Sequence, residues 1–373
     1  MLFRCIYDDF AERRTCAILY AGIGNNVLDG AAGTDTVSYA FGASAGVTVS
    51  LALAGAQATG GSGSDTLAGI EHLIGTAFVD SLTGSSGANS LTSGAGNDVL
   101  NGGAGADTMT GGDGADSYFV SETGDVVVET NATVSAAELD IVYSSAASFT
   151  LTANVENGRI LNATAANLTG NAMNNVLFAG SGANVIDGAG GVDTLSYAFG
   201  AATGVTVSLA LAGAQATGGS GSDTLAGIEN LNGTAFNDNL TGDAGSNVLM
   251  GSGGNDVLTG GLGADFLSGG AGADIFSFLS IADSGLTSGT WDTISDFAQG
   301  IDKIDLSGLD ANADTAGNDA FTSMIASNAA FTTAGQLRIV DGVLYGNTDG
   351  DAEAEFAIVL TGVTTLTLGD FLP

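Results

Sequence analysis

The sequence predicts an all-β chain: a parallel β-solenoid followed by a β-rich C-terminal cap. Three observations predict it. A nine-residue pattern, Gly-Gly-x-Gly-x-Asp-x-apolar-x, runs in contiguous blocks. The stretch GVTVSLALAGAQATGGSGSDTLAGIE, residues 46–71, recurs unchanged at 204–229. Glycine supplies 60 of 373 residues beside a single proline, while 45% of the residues are hydrophobic. Self-similarity at a fixed short period marks a stack of coils, each covering the apolar face of the next.

The segments follow in order. Residues 1–20 stand outside the pattern. They hold both cysteines, Cys5 and Cys16, and three of the six bases, Arg4, Arg13 and Arg14. Acids precede any apolar run there, a poor secretory leader; a misassigned start and a junction from another reading frame are both readings the residues leave open. Residues 21–120 form a first solenoid copy, with AGIGNNVLD and GAAGTDTVS at 21–38 and five units in register over 75–119. Residues 121–178 connect, with strand-like runs at Val126–Glu129, Asp140–Tyr143 and Phe149–Thr152, and rejoin the repeat at 170. Residues 179–278 form the second copy, displaced by 158 from the first. Isolated copies of GGSGSDTLA start at Gly60 and Gly218. Each unit reads as a six-residue turn and a three-residue strand. Glycines permit positive φ and close backbone approach, and the strand turns one side chain inward: Leu82, Leu91, Leu100, Met109, Tyr118. VTVSLAL at 47–53 alternates strictly, and LAGIEHLIG at 67–75 reads as a further rung.

Charge narrows the function. There are 41 acids against six bases, a formal net charge of −35. Such a surface repels nucleic acid and anionic lipid, so neither is an expected partner. It also repels itself, so a compact state needs cations. No apolar run reaches the roughly 18 residues of a membrane helix. The repeat body has no cysteine, so no disulfide or thiolate metal site holds it.

If two units make one 18-residue coil, residues 18 apart stack about 4.8 Å apart. Asp98 then lies by Asp116, and Asp256 by Asp274. Stacked carboxylates repel unless a cation sits between them. Glycine turns expose backbone carbonyls beside them. Carboxylates plus carbonyls, with no nitrogen or sulfur, describe a hard-cation site that favours Ca²⁺ over Mg²⁺. The alternative for each aspartate is a self-capping Asx turn.

With these residues assembled, the chain resembles the RTX, or haemolysin-type calcium-binding, repeat family. The resemblance implies a right-handed β-roll in which sixth-position aspartates ligate Ca²⁺ between coils. Carried over, these are Asp80, Asp98, Asp107 and Asp116, then Asp238, Asp256, Asp265 and Asp274. Asp35, Asp65, Asp193 and Asp223 also match, although inserts break the stacking around them. Asn26, Asn89, Asn175, Asn184 and Asn247 replace the aspartate and are expected to form hydrogen-bonded ladders. Phe78, Val79, Phe236 and Asn237 spoil two glycine turns, so weaker sites are expected there.

Residues 279–373 lose the repeat. WDTISDFAQGIDKIDLSGLDAN (291–312), AGQLRIV (334–340) and the ending LTLGDFLP resemble the C-terminal domain of serralysin-type secreted proteases. That resemblance implies a domain packed on the roll, with an uncleaved type I export signal and Asp370-Phe371-Leu372 as its acidic-then-apolar tail. Read from the residues alone, the segment is a cap with Trp291 and Phe297 as core. NTDGDAEAEF (347–356) partly resembles an EF-hand loop, but Ala352 stands where a tight turn wants glycine, and an acidic hairpin is the expectation.

Catalytic motifs are not found. A zinc protease needs His-Glu-x-x-His, and the chain has one histidine, His72, whose counterpart in the second copy is Asn230. GASAG (42–46) matches the Gly-x-Ser-x-Gly elbow, but its duplicate is GAATG. The one lysine, Lys303, follows no phosphate-binding loop. The expectation is a secreted, extracellular, non-catalytic protein that binds roughly five to ten Ca²⁺, one per stacked aspartate pair, with the type I secretion apparatus as partner. Two alternatives stand: the tail of a larger secreted enzyme, a serralysin-like protease or polysaccharide-modifying enzyme, and a calcium-dependent adhesin whose partner is an extracellular glycan or cell surface.

Overall fold

The computed structural model describes residues 17–131, 138–287 and 289–372. Cys5, Cys16, the three N-terminal arginines and Pro373 lie outside the described residues. The chain divides into two units, Met1–Leu177 with Ala189–Gly191, and Phe178–Gly188 with Val192–Pro373. Among the described residues the regular structure is β, apart from one 3-10 turn at Leu368–Asp370. No helix is long and apolar enough to cross a membrane.

In the first unit, consecutive strands alternate between two parallel sheets. One contains Ser81–Thr83, Val99–Asn101, Ser117–Val120, Ile141–Ser144 and Asn157–Ile160. The other contains His72–Ile74, Ser90–Ala95, Thr108–Asp113 and Val126–Val128. Ser81 pairs with Val99 and Val99 with Ser117, so the coil has the expected 18 residues. The five residues assigned inward, Leu82, Leu91, Leu100, Met109 and Tyr118, are all fully buried. Each leucine so buried contributes about 1.5–3 kcal/mol.

The inserted segments lengthen the coil without breaking it. Thr36 pairs with His72, and Val27 with Thr66. Part of the extra chain folds into an antiparallel hairpin, Ala56–Gly60 with Gly63–Ala68. The GGSGSDTLA copy at Gly60 is thus not another repeat turn. Its glycines make the hairpin tip, with positive φ at Gly60 and Gly63, and its last residues supply the rung.

The second unit repeats the plan. One parallel sheet holds Thr206–Ser208, Asn239–Thr241, Val257–Thr259, Ile275–Ser277 and Lys303–Asp305. The other holds Thr194–Ser196, Asn230–Asn232, Val248–Met250, Phe266–Ser268 and Asp292–Ile294. The coil therefore runs on past the last nonapeptide. Asp292–Ile294 then pairs in parallel with Phe356–Leu360, which opens an antiparallel meander with Val343–Asn347 and Gln336–Val340. The cap thereby prolongs the same sheet. Its core is Phe297, Phe331, Leu337, Leu344, Phe356 and Ile358. Trp291, expected in that core, is only half-buried, because it directly precedes the inward Asp292 on a strand start. NTDGDAEAEF is the turn between Val343–Asn347 and Phe356–Leu360, an acidic hairpin.

Candidate metal centre

The sixth-position acids line up in lanes along the coil edges. In the first unit Val47 N–H donates to Asp80 Oδ1 at 2.7 Å, Asp80 N–H to Asp98 Oδ1 at 2.7 Å, Asp98 N–H to Asp116 Oδ1 at 2.8 Å and Asp116 N–H to Asp140 Oδ1 at 2.7 Å. Asp140 N–H continues to Glu156 Oε2 at 2.8 Å. A second lane runs from Asn89 N–H to Asp107 Oδ1 and from Asp107 N–H to Asp125 Oδ1. The second unit has Asp238, Asp256, Asp274 and Asp302 in one lane, and Asn247, Asp265 and Asp292 in another. The pairs expected to stack, Asp98 with Asp116 and Asp256 with Asp274, are neighbours in these lanes.

Each aspartate thus spends one oxygen on the backbone of the adjacent coil. The other oxygen divides them. In Asp35, Asp98, Asp107, Asp116, Asp256, Asp265 and Asp274, Oδ2 is buried and accepts no hydrogen bond. A buried carboxylate oxygen without a donor costs free energy unless the group is protonated or meets a cation. Burial accordingly pushes Asp107 and Asp265 up to about 6, and Asp116 and Asp256 up to about 7. Asp98 and Asp274 move in the same direction. Carbonyls converge on the same points. A Cβ on Gly251 would stand 2.2 Å from Asp256 Oδ2 and 2.6 Å from the Gly269 carbonyl oxygen. At Gly30 it would stand 2.7 Å from Asp35 Oδ2 and 2.1 Å from the Gly69 carbonyl oxygen, and Gly188 repeats this with Asp193 Oδ2 and the Gly227 carbonyl. Glycine at the first place of the turn keeps these all-oxygen cradles open, and the donor set fits a hard cation.

Backbone conformation decides which cradle stays open. The residue four before the acid has φ of 120° at Gly94, 78° at Ser252, 67° at Ala31 and 69° at Ala189. A left-handed residue there turns its N–H away from the carboxylate behind it. At the turns of Asp80, Asp238, Asn89 and Asn247 that residue is not left-handed, and its N–H closes onto the side chain. Thr76 N–H donates to Asp80 Oδ2 and Thr234 N–H to Asp238 Oδ2, both at 2.6 Å, and each threonine hydroxyl adds a bond at 2.9 Å. The asparagines do the same: Asn89 Oδ1 accepts from Ser85 N–H at 2.6 Å and Asn247 Oδ1 from Asp243 N–H at 2.8 Å. Their amides then donate to the Glu71 and Glu229 carbonyls of the adjacent coil, completing by hydrogen bonds what the aspartates leave open. Asp65 and Asp223, on the hairpins, are also satisfied internally. Asp65 accepts from Asn26 N–H and Thr59, and Asp223 from Asn184 N–H, Tyr197 and Thr217.

Several acids in the lanes lie outside the nonapeptides: Glu71, Asp125, Asp140, Glu156, Glu229, Asp292 and Asp302. All share an acid, one spacer and an inward residue, as in Asp140-Ile141-Val142 and Asp292-Thr293-Ile294. That triplet is the signal that would have found them. Asp125 and Asp302 end their lanes by capping their own turns, through Ser121 N–H and Ala298 N–H. In the cap, Asp349, Asp351 and Glu355 bring carboxylate oxygens within 4.8 Å of one another, but loop N–H groups of Asp351, Glu353 and Thr348 occupy them. His72 lies half-buried on a rung beside Thr36 and Ser90.

Stacked coils with acid lanes and glycine cradles define a calcium-binding repeat protein. The model of the RTX calcium-binding nonapeptide repeat matches residues 18–43, 67–100 and 83–118. The model of the peptidase M10 serralysin C terminal matches residues 185–372, just over half of the chain, and the chain belongs to that family. Both features are typical of secreted proteins. No curated protein matches the chain. Among solved structures, the AlgE6R3 subunit of the Azotobacter vinelandii mannuronan C5-epimerase is 31% identical, with a TM-score of 0.29, over 39% of this chain and 77% of that one.

Proposed function

We propose that this chain is a secreted, non-catalytic calcium-binding protein that leaves the cell unfolded through a type I system and folds on meeting extracellular Ca²⁺. The observation that carries the reading is the set of buried, donor-less Oδ2 atoms facing glycine cradles. Such atoms destabilise the metal-free coil, and an ion that binds only the folded form stabilises it by RT ln(1 + [L]/Kd) per site. The ligands we assign are Asp35, Asp98, Asp107, Asp116, Asp193, Asp256, Asp265 and Asp274. Asp65, Asp80, Asp223 and Asp238 act as hydrogen-bonded braces. A stoichiometry of roughly five to ten ions follows from one per acid pair. Calcium titration of the metal-free chain, followed by circular dichroism and calorimetry, tests the coupling. A β spectrum that chelator leaves unchanged would refute it.

A second reading is favoured by the match over residues 185–372: the chain is the secretion-competent part of a larger secreted enzyme. An in-frame His-Glu-x-x-His upstream of Met1 in the genomic sequence would select it.

A further inference from the structure

The cradle at Gly111 differs from the others. Its coil-mate one turn on is Glu129, which stands where a glycine would otherwise offer only a carbonyl. Glu129 sends its side chain inward, where the Tyr118 hydroxyl donates to its Oε1. One oxygen each from Asp116, Glu129 and Asp140 lies within 4.8 Å of the others, and all three residues are buried. A Cβ on Gly111 would stand 2.1 Å from Asp116 Oδ2 and 2.6 Å from Glu129 Oε1, so the acids converge on one point. Asp116 is 0% exposed and Glu129 7%, yet Asp116 Oδ2 and Glu129 Oε2 accept no hydrogen bond. Arg159 is the one Lys or Arg in residues 17–177, and it sits in register with Tyr143 on the outward side of its strand.

We infer that Asp116, Glu129 and Asp140 form a distinct, sealed divalent-cation site inside the first unit, in which an acid from the rung interior replaces a turn carbonyl. Three carboxylates at one point, with no base beside them among the described residues, carry more charge than any glycine cradle. Higher charge at a calcium site raises its affinity, so this site fills first as calcium rises. Tyr118 orients Glu129 as a positioning residue, holding Oε1 so that Oε2 stays free. The second copy uses the same place differently, with an acid that turn donors satisfy. There Phe276 stands in place of Tyr118, and the coil-mate of Gly269 is Asp296, whose carboxylate accepts from the Ser268 hydroxyl and from the Gly269 and Gly270 N–H groups; Phe276 packs against Phe297, with ring centroids 6.2 Å apart.

The inference rests on the calcium-binding reading above, and the test separates the two. Crystals of the full chain are grown with Ca²⁺ and exchanged into Tb³⁺. The expected result is an anomalous peak about 2.3–2.6 Å from oxygens of Asp116, Glu129 and Asp140, beside separate peaks at the Asp98 and Asp256 cradles. In solution, Tb³⁺ emission excited through tyrosine appears at the first equivalent. Glu129→Gln weakens that first binding event on the order of tenfold or more, a loss in the range seen when a metal site is altered, and leaves the later ones. Tyr118→Phe lowers the tyrosine-excited signal and weakens the same event less. Peaks at the turn cradles with none between the three acids overturn this inference alone. A chain that takes up no ion anywhere overturns both it and the calcium reading.

Discussion

Asp80 and Asp98 hold equivalent places on consecutive coils, yet Thr76 lies four residues before the first and left-handed Gly94 before the second. That one dihedral decides whether a carboxylate is braced or left open. Asp107→Asn should therefore remove one bound Ca²⁺ and raise the calcium midpoint several-fold, whereas Asp80→Asn should leave the count unchanged; calorimetric titration reads both. Ala31, Ala189 and Ser252 adopt the left-handed conformation without being glycine, which costs about 1–3 kcal/mol each. Strain of that kind gathers where a site needs it. Ser252→Gly should then raise the calcium-loaded melting temperature, with a gain of about 1 kcal/mol, and keep the ion count. The aspartates were legible in the sequence because glycine, acid and apolar residue keep one spacing. The open or closed state of each was not, since Ala31 and Ser252 carry no mark of a positive φ.

At the scale of the turn and strand, glycine serves two separate purposes. Gly55 has φ of 106° with nothing near its missing side chain, while Gly114 has φ of 130° and a Cβ there would meet the Gly96 carbonyl oxygen at 2.1 Å. Gly55→Ala should cost about 1 kcal/mol of conformational strain. Gly114→Ala should cost clearly more and disturb the coil below, a difference readable by thermal melting in calcium. The inward ladder of Leu82, Leu100 and Tyr118 was legible from the period alone, since stacked strands repeat one burial pattern. The rung at Ile141–Ser144 was visible only as the strand-like run Asp140–Tyr143, and those at Asn157–Ile160 and Asp292–Ile294 were harder to see. Their turns vary in length, so Asp140, Glu156 and Asp292 keep their place in the lane without the glycines that announce it. The hairpins at Gly60 and Gly218 misled in the opposite sense, carrying the repeat's letters in an antiparallel tip.

For the whole molecule, 41 acids and six bases make proton and calcium rivals for the same oxygens. Asp98, Asp107, Asp116, Asp256, Asp265 and Asp274 have folded pKa values above the ordinary carboxylate range near 4, and burial pushes Asp140 and Asp292 up to about 8. The metal-free folded chain therefore binds more protons than the unfolded one between about pH 4 and 8. By linkage, its stability is fullest below pH 4 and is lost as pH rises through 8. Calcium must displace those protons, so its midpoint should rise on the order of tenfold or more between pH 8 and 5.5. Circular dichroism with and without chelator across that range checks both; a calcium midpoint indifferent to pH would contradict the account.

The final residues have their own place in the fold. Asp370 accepts from Thr367 N–H at 2.8 Å and from Gly300 N–H at 3.1 Å. Burial opposes its ionisation, but these donors, with the Thr367 hydroxyl and Gln299, outweigh it and hold the carboxyl below its usual range. Leu372 N–H donates to the Ile304 carbonyl at 3.0 Å, and Lys303 Nζ bonds the Gly369 carbonyl. On the type I route proposed above, a receptor that reads this peptide as an extended strand has to reach it before the last coil closes. On that route, a chain that folds around calcium ahead of export hides its own tail, so premature folding and export exclude each other.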